Sequence, residues 1–177
     1  LGSAVADKTL GIIGPGKIGT AVAERAAGFR MNIYYHGNEE KKNFPGKRLS
    51  LDLLLEQSDF VSMHIPLNEN TQYYCDSDFF SKMKKSAIFI NTGRGGLVDQ
   101  TDLISALTNQ TIAGAGIDVM DPEPLPANHP LLNLQNCTIT PHIGSATLET
   151  RLAMSNLVAD SIIAAIEGTT PPNLVNP

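Results

Sequence analysis

Residues 10–19 read Leu-Gly-Ile-Ile-Gly-Pro-Gly-Lys-Ile-Gly and place a glycine-rich turn between a short apolar run and a helical pattern. The glycines have the spacing Gly14-x-Gly16-x-x-Gly19. In a strand–turn–helix unit, the first glycine makes the tight turn, the second lets a pyrophosphate approach, and the third lets helix and strand pack closely. The helix N-terminus adds N–H donors and a partial positive charge. The stretch predicts a dinucleotide site, and an ordinary tight turn is the alternative.

Outward from this turn, strand-like and helix-like runs alternate along the chain. Strands are predicted at residues 10–13, 31–35, 60–65, 87–91, 112–119 and 137–140. Helices are predicted at residues 17–27, 51–55, 77–83, 100–107 and about 146–167, with Ser50, either Asp76 or Ser77, and Asp99 as candidate caps, and with a polar loop at 36–48. Such alternation is typical of a parallel sheet covered by helices. We therefore predict an α/β fold, a Rossmann-type doubly wound parallel sheet with helices on both faces.

Composition excludes several classes of protein. The 177 residues fit one ordinary domain, and 42% of them are hydrophobic. The net charge of −5, without a basic stripe, argues against a nucleic-acid or anionic-membrane partner. No apolar stretch approaches the roughly 20 residues that cross a bilayer. Cys75 and Cys137 are far apart and have no metal-ligand spacing, which indicates reduced thiols, no metal site and a cytoplasmic location.

The last predicted helix is apolar on more than one side. Its large apolar residues are Leu148, Leu152, Met154, Leu157, Val158, Ile162, Ile163 and Ile166. A helix of this kind usually packs on more than one neighbour. Either part of its partner lies outside this chain, or the helix lies in a deep groove of this domain.

Arg94 stands between glycines in the stretch Ile-Asn-Thr-Gly-Arg-Gly-Gly-Leu-Val-Asp at residues 90–99, directly after a predicted buried strand. Glycines at such a place let a ligand approach the backbone. A planar guanidinium is suited to bind a carboxylate through two hydrogen bonds. The segment therefore predicts a carboxylate clamp, and the alternative is that Arg94 caps a helix terminus.

Two further polar segments follow later strands. Residues 116–126 place Glu123 between two prolines, and residues 140–147 place His142 just before a helix. Ligands of open α/β sheets bind outside the carboxyl ends of the strands, where Arg94, Glu123 and His142 are all expected. A histidine beside a carboxylate keeps its proton more readily and can deliver it to a carbonyl oxygen as hydride reaches the carbon. The alternatives are a solvated glutamate and a structural histidine.

The chain resembles the D-isomer-specific 2-hydroxyacid dehydrogenases from about residue 8 to residue 177. The resemblance rests on residues 14–19, 64–67, 91–99, 116–126 and 141–147. Within this family the chain looks most like glyoxylate/hydroxypyruvate reductases, through residues 128–132, 136–137 and 141–147. The resemblance implies an oxidoreductase that reduces glyoxylate to glycolate or hydroxypyruvate to D-glycerate with a nicotinamide cofactor.

The resemblance also implies roles for single residues. Arg94 would grip the substrate's carboxylate and carbonyl, and His142 would be the acid/base with Glu123 as its partner. Ser145 would lie beside the substrate, and Asp118 would orient the nicotinamide carboxamide. The full set of predicted cofactor contacts is Gly14, Gly16, Lys17, Ile18, Gly19, His36, Gly37, Asn38, Pro66, Thr71, Thr92, Gly93, Asp118 and Gly144.

The end of the second predicted strand bears on the choice of cofactor. Strands specific for NAD usually end in an acid about 20 residues past the first glycine, where it binds the ribose 2′-hydroxyl. His36 occupies that place, and His36, Asn38 and either Lys41 or Lys42 could donate to a 2′-phosphate. No arginine occurs there and two glutamates follow. We predict that NADP(H) is favoured over NAD(H).

The resemblance implies a two-lobed protein whose substrate lobe comes first. Because the fingerprint begins at Gly14, we expect that lobe to be missing and the chain to have little activity alone. Residues 1–7 are expected to be a linker or a remnant of expression, residues 8–145 the dinucleotide-binding domain, and residues 146–177 a helix and tail that return toward the missing lobe. A homodimer through the cofactor lobe is also expected.

Other proteins with this fold remain as alternatives. Phosphoglycerate and D-lactate dehydrogenases differ from reductases mainly in the substrate lobe. The C-terminal-binding transcriptional corepressors, which sense the cofactor and are not enzymes, keep the same Arg/Glu/His set. The match through residues 128–147 favours a metabolic reductase.

Overall fold

The computed structural model describes residues 2–175 and divides the chain into two units, with the boundary between Pro141 and His142. The first unit contains one seven-stranded sheet. Its strands are Thr9–Ile13 (β1), Asn32–His36 (β2), Lys47–Arg48 (β3), Phe60–Met63 (β4), Ile88–Asn91 (β5), Gly114–Ile117 (β6) and Cys137–Ile139 (β7). Its helices are Lys17–Ala27 (α1), Leu51–Gln57 (α2), Ser77–Lys82 (α3) and Gln100–Thr108 (α4), with short 3-10 helices at Gly95–Leu97 and Pro130–Asn133.

All neighbouring strands pair in parallel, in the order β3-β2-β1-β4-β5-β6-β7. The order reverses next to β1, so that Ile13 at its end pairs with His36 on one side and Met63 on the other. The carboxyl ends at this reversal are where doubly wound sheets bind ligands. The predicted Rossmann-type doubly wound parallel sheet is confirmed.

Buried side chains form two clusters, one on each face of the sheet. Ile12 packs in a cluster with Ala23 of α1, whereas Ile13 packs in a larger cluster with residues of α2, α3 and α4, including Leu54 and Leu103. Successive strand residues point to opposite faces, so neighbours along β1 serve different clusters. Helices therefore cover both faces, as predicted.

The structure departs from the predicted elements at β3. This two-residue strand lies inside the predicted polar loop at 36–48, and it pairs Tyr34 with Lys47 and Tyr35 with Arg48. Two polar residues are too few to show the alternation that marks a strand. The strands β4 and β6 end at Met63 and Ile117, two residues earlier than predicted. After β4 the chain leaves the sheet to line the candidate site.

Side-chain caps define where three helices begin. Ser50 accepts a hydrogen bond from the Leu53 amide, Asp76 from the Phe79 amide, and Asp99 from the Thr101 amide. Each cap satisfies a donor that would otherwise have no partner inside the helix. These caps agree with the predictions, with Asp76 in the place where the sequence left two choices.

The second unit consists of a short segment and one long helix, Leu148–Ile166 (α5). Thr147 caps it by accepting from the Thr150 amide at 3.2 Å. The helix ends before Gly168, whose φ of +71° suits a glycine. No residue of α5 is buried, and its large apolar side chains are exposed.

Candidate cofactor and active site

Each glycine of the turn after β1 has different surroundings. Gly14 has a φ of +97°, and a Cβ there would lie 2.7 Å from the backbone carbonyl of His64. A Cβ at Gly19 would lie 2.3 Å from the carbonyl oxygen of Gly14. A Cβ at Gly16 would meet nothing within 4 Å. The first and third glycines are therefore required by packing, while Gly16 leaves its backbone open to a ligand.

The N-terminus of α1 adds donors at the same place. Gly16 is the N-cap, and no side chain caps the first turn of this 11-residue helix. The first N–H groups of a helix have no partner inside it and carry the positive end of its dipole. Open backbone at Gly16, these N–H groups and the absence of a side chain over them together fit a pyrophosphate.

Two adjoining cavities lie along the carboxyl edge of the sheet. One, of about 540 Å³, is lined by Gly14–Gly16, residues 37–41 and residues 64–66. The other, of about 560 Å³, is lined by Ile18, residues 64–67 and residues 92–94. Residues 64–66 line both, so the two cavities form one cleft that crosses the reversal of strand order. A cleft of this length suits an elongated dinucleotide.

The first cavity is lined by some of the residues predicted to contact the cofactor, while His36 lies beside it. Gly37 and Asn38 line it, and His36 at the end of β2 holds its Nδ1 3.2 Å from the Leu49 carbonyl oxygen. Lys41 Nζ donates to the carbonyl oxygen of Pro15 at 2.5 Å and to Thr20 Oγ1 at 3.0 Å. Lys41 forms no salt bridge within residues 2–175, so a cation without a carboxylate partner lies at the glycine turn.

His64 forms the wall that the two cavities share. Its Nε2 lies 2.9 Å from Ser62 Oγ, and its amide donates to the Ile13 carbonyl at 2.7 Å. Burial lowers the pKa of His64 from 6.5 to about 4. The imidazole is therefore neutral at physiological pH and adds no charge to the cleft.

The second cavity contains Arg94, Thr92 and Gly93 at the end of β5. Asn91 holds this segment in place, because its side chain accepts a hydrogen bond from the Gly93 amide at 3.0 Å and donates one to the Arg94 carbonyl at 2.9 Å. Arg94 Nη1 donates to the Gly93 carbonyl at 2.7 Å. The guanidinium is held close to its own backbone, and Arg94 makes no side-chain cap hydrogen bond to the short helix that follows it.

Asp118 and Glu123 lie on the chain that follows β6. Asp118 is buried, its amide donates to the Asn91 carbonyl at 2.9 Å, and its carboxylate accepts from Thr140 Oγ1 at 2.5 Å. Asp118 is thereby fixed beside the β5 end. Glu123 is exposed in the loop after it, where the Asp121–Pro122 and Glu123–Pro124 peptide bonds are cis.

Pro66 and Thr71 occupy the loop after β4. Pro66 lines both cavities, and Thr71 Oγ1 donates to the Pro66 carbonyl at 2.7 Å. Thr71 therefore braces the cleft wall, and its predicted contact with the cofactor stays a prediction.

His142, Gly144 and Ser145 belong to the second unit, before α5. His142 has a φ of +54°, an uncommon backbone conformation for a non-glycine residue. The predicted roles of these three residues stay predictions.

Sequence reasoning gave no role to Asn91 or His64. A polar residue as the last member of an otherwise apolar strand was the signal available for Asn91, since a buried amide needs partners. The place of His64 between the two cavities depends on strand order, which single motifs do not reveal.

Within residues 2–175, no group of three or more His, Cys, Asp or Glu side chains could hold a metal ion. The same part of the chain has no helix that is long and apolar enough to cross a membrane. Cys75 and Cys137 are both free thiols.

Comparison with known proteins agrees with this architecture. The family model of the D-isomer specific 2-hydroxyacid dehydrogenase NAD binding domain matches residues 1–144. A glyoxylate reductase from Korarchaeum cryptofilum is 47% identical over 180 residues, which cover 99% of this chain and 54% of that protein. A glyoxylate/hydroxypyruvate reductase B from Serratia proteamaculans is 48% identical over 175 residues, which cover 96% of this chain and 54% of that protein.

A solved structure shows the same likeness. The TT0316 protein from Thermus thermophilus superposes with a TM-score of 0.95 at 45% identity, covering 99% of this chain and 56% of that one. The chain thus spans about half the length of the relatives it matches. On the family match, the fold and the glycine turn, the chain belongs to the D-isomer-specific 2-hydroxyacid dehydrogenases and contains their NAD-binding domain.

Proposed function

We propose that the chain is the cofactor-binding part of a reductase that converts glyoxylate or hydroxypyruvate to the corresponding 2-hydroxy acid. The observation that carries this proposal is the position of Arg94. Arg94 lines the second cavity beside Thr92 and Gly93, in the same cleft as the glycine turn. The names of the relatives from K. cryptofilum and S. proteamaculans support the choice of substrate.

Arg94 would bind the substrate carboxylate. A guanidinium presents two parallel N–H donors to a carboxylate, and Asn91 keeps the backbone of this segment in place. The nicotinamide, when bound, supplies the hydride. Thr92, Gly93 and Asp118 would hold its carboxamide, and the buried position of Asp118 restricts the carboxylate to one orientation.

His142 would supply the proton to the carbonyl oxygen, with Glu123 as its partner and Ser145 beside the substrate. This assignment follows the motif match at residues 116–126 and 141–147. General acid catalysis by a positioned histidine typically contributes on the order of 10²–10⁴-fold in rate.

NADPH is the proposed preferred cofactor. The end of β2 carries His36 in place of an acid, and Lys41 lies at the glycine turn without a carboxylate partner in the described part of the chain. Calorimetric titration with NADPH and with NADH tests this proposal, and tighter binding of NADH at physiological salt would overturn it.

The chain alone would bind cofactor and turn over little substrate, since it spans about half of its relatives. Closure of a complete cleft excludes water and adds substrate contacts. The test is NADPH oxidation with glyoxylate or hydroxypyruvate, next to the K. cryptofilum reductase as a reference. Comparable turnover by the chain would contradict this proposal.

A homodimer through the cofactor lobe is also proposed, as the family resemblance implies. Sedimentation velocity over a range of concentrations would measure it. A single monomeric species at micromolar concentration would argue against the dimer.

A further inference from the structure

We propose that Arg48, on the edge strand β3, is the residue that selects a 2′-phosphorylated adenosine. This inference rests on the proposed preference for NADPH and assigns it to a side chain that the sequence analysis did not name, at the end of the predicted polar loop at 36–48. The feature that supports this proposal is a cavity of about 360 Å³, lined by His36, Glu40, Arg48, Leu49 and Ser50.

Strand pairing brings Arg48 to this place. Arg48 lies opposite Tyr35, and the Leu49 amide donates to the Tyr35 carbonyl at 3.0 Å, so β3 ends beside the end of β2. His36 Nδ1 lies 3.2 Å from the Leu49 carbonyl oxygen. The cavity therefore opens where a Rossmann strand meets the adenosine ribose.

Two hydrogen bonds hold the guanidinium of Arg48 in place, and they leave other N–H donors of this group available to a ligand. Arg48 Nη2 donates to the carbonyl oxygens of Gly37 and Asn38, both at 2.9 Å. Within residues 2–175, Nη1 and Nε of Arg48 make no hydrogen bond, and Arg48 forms no salt bridge. The two contacts orient the planar group, and the remaining N–H donors suit a phosphate.

Two other side chains define the chemistry of the cavity. Ser50 Oγ accepts from the Leu53 amide at 3.4 Å, so its hydroxyl hydrogen can be donated to a phosphate. Glu40 lines the same cavity and opposes an anion there. From these opposite charges we expect Glu40 to weaken the binding of NADPH and Arg48 to strengthen it.

The test compares 2′,5′-ADP with 5′-AMP, two ligands that differ only in the 2′-phosphate, by calorimetry on the whole chain. The wild type is expected to bind 2′,5′-ADP more tightly. Arg48→Gln is expected to reduce this preference by about tenfold, since a charge-assisted hydrogen bond is lost. Arg48→Lys should retain part of it, and Glu40→Gln should increase it.

Lys47→Gln is the matched control, because Lys47 carries the same charge on the same strand but points to the opposite face. It should leave the preference unchanged within about twofold, as expected for a distant screened charge. An equal loss in Lys47→Gln, or an unchanged preference in Arg48→Gln, would overturn the role of Arg48. Equal weakening of both ligands by Arg48→Gln would also overturn it, by showing a structural role.

The wild-type measurement separates this inference from the proposed function. If the wild type binds 5′-AMP as tightly as 2′,5′-ADP, the proposed NADPH preference is wrong. If the wild type prefers 2′,5′-ADP and Arg48→Gln keeps that preference, only the assignment to Arg48 is wrong. Neither readout depends on turnover.

Discussion

Gly16 and Gly19 belong to one turn, but an added methyl group meets opposite conditions at the two positions. A Cβ at Gly19 would lie 2.3 Å from a backbone oxygen, whereas a Cβ at Gly16 would meet nothing. We expect Gly19→Ala to destabilise the fold by roughly 1–3 kcal/mol through overpacking. Gly16→Ala should leave the thermal midpoint nearly unchanged and weaken NADPH binding, because the methyl group occupies the space of the pyrophosphate.

Thermal unfolding and calorimetric titration on the two variants measure these effects. Gly16→Ala with unchanged NADPH affinity would contradict the assignment of the turn as the pyrophosphate site. Stability unchanged by Gly19→Ala would contradict the close approach of α1 to β1.

His64 gives the protein a predicted sensitivity to acid. Its pKa is about 4 in the folded protein, below the ordinary value of 6.5, because burial disfavours the cation. The unfolded chain therefore takes up a proton between pH 6.5 and 4 while the folded protein does not. The free energy of unfolding should fall over this range, by roughly 3 kcal/mol in total, and be unaffected by this group above it.

Urea unfolding at pH 7 and pH 4.5 measures this loss in the wild type and in His64→Asn. The asparagine variant should lose less stability on acidification. Ser62→Ala serves as the control, because it removes the hydrogen bond to the ring but leaves the ring buried, and should keep the acid sensitivity. Equal losses in the wild type and His64→Asn would contradict the role of His64.

At the scale of elements, Asp99 connects the Arg94 segment to α4. Its carboxylate accepts from the amides of Thr101 and Asp102 at 2.9 and 3.2 Å, and its own amide donates to the Cys75 carbonyl at 3.0 Å. Asp99→Ala should lower the free energy of unfolding by about 1 kcal/mol through loss of the cap. Asp99→Asn should retain most of the stability, since an amide oxygen also accepts. Urea unfolding of both variants measures the difference, and equal losses would exclude the cap as the cause.

Long, buried elements could be predicted from the sequence more accurately than short, exposed ones. The strand β1 and the helix α1 were predicted within one residue, because the apolar run and the glycine turn mark both boundaries. The strand β3 was missed, since Lys47 and Arg48 pair with β2 through backbone atoms that a side-chain pattern does not report.

For the candidate site as well, residues in a local sequence motif could be predicted, and residues brought in by strand pairing could not. Gly14, Gly16 and Arg94 could be found in sequence because each lies in a local motif, and the structure brings them into one cleft. Arg48 could not be found, because its meeting with His36 depends on the pairing of β3 with β2 across 12 residues of chain.

At the scale of the whole molecule, the proposed activity can be tested by joining the chain to the remaining part of a full-length relative. The chain would replace the matching part of the K. cryptofilum glyoxylate reductase, with which it shares 47% identity. We expect the chimera to oxidise NADPH with glyoxylate, and Arg94→Gln in the chimera to reduce kcat/KM by about 10²-fold or more through loss of the carboxylate clamp.

Cofactor binding by the chimera, measured first, shows that the graft has folded. Arg25→Gln is the matched control, because Arg25 lies on α1 and donates to the Ala21 carbonyl outside both cavities of the cleft. It should leave turnover unchanged. A folded chimera that binds NADPH but reduces neither glyoxylate nor hydroxypyruvate would contradict the proposed substrate class.

The position of β1 between β2 and β4 has a consequence for how such a protein can diversify. The segment proposed to bind the adenosine end, residues 32–50, lies on one side of β1, and the segments that carry Arg94 and Asp118 lie on the other. No strand of one side lies between β1 and the strands of the other side. If the proposed roles hold, substitutions in the segment next to the ribose can change the choice of cofactor and leave the segments with Arg94 and Asp118 unaltered, so that cofactor choice and substrate choice can evolve separately.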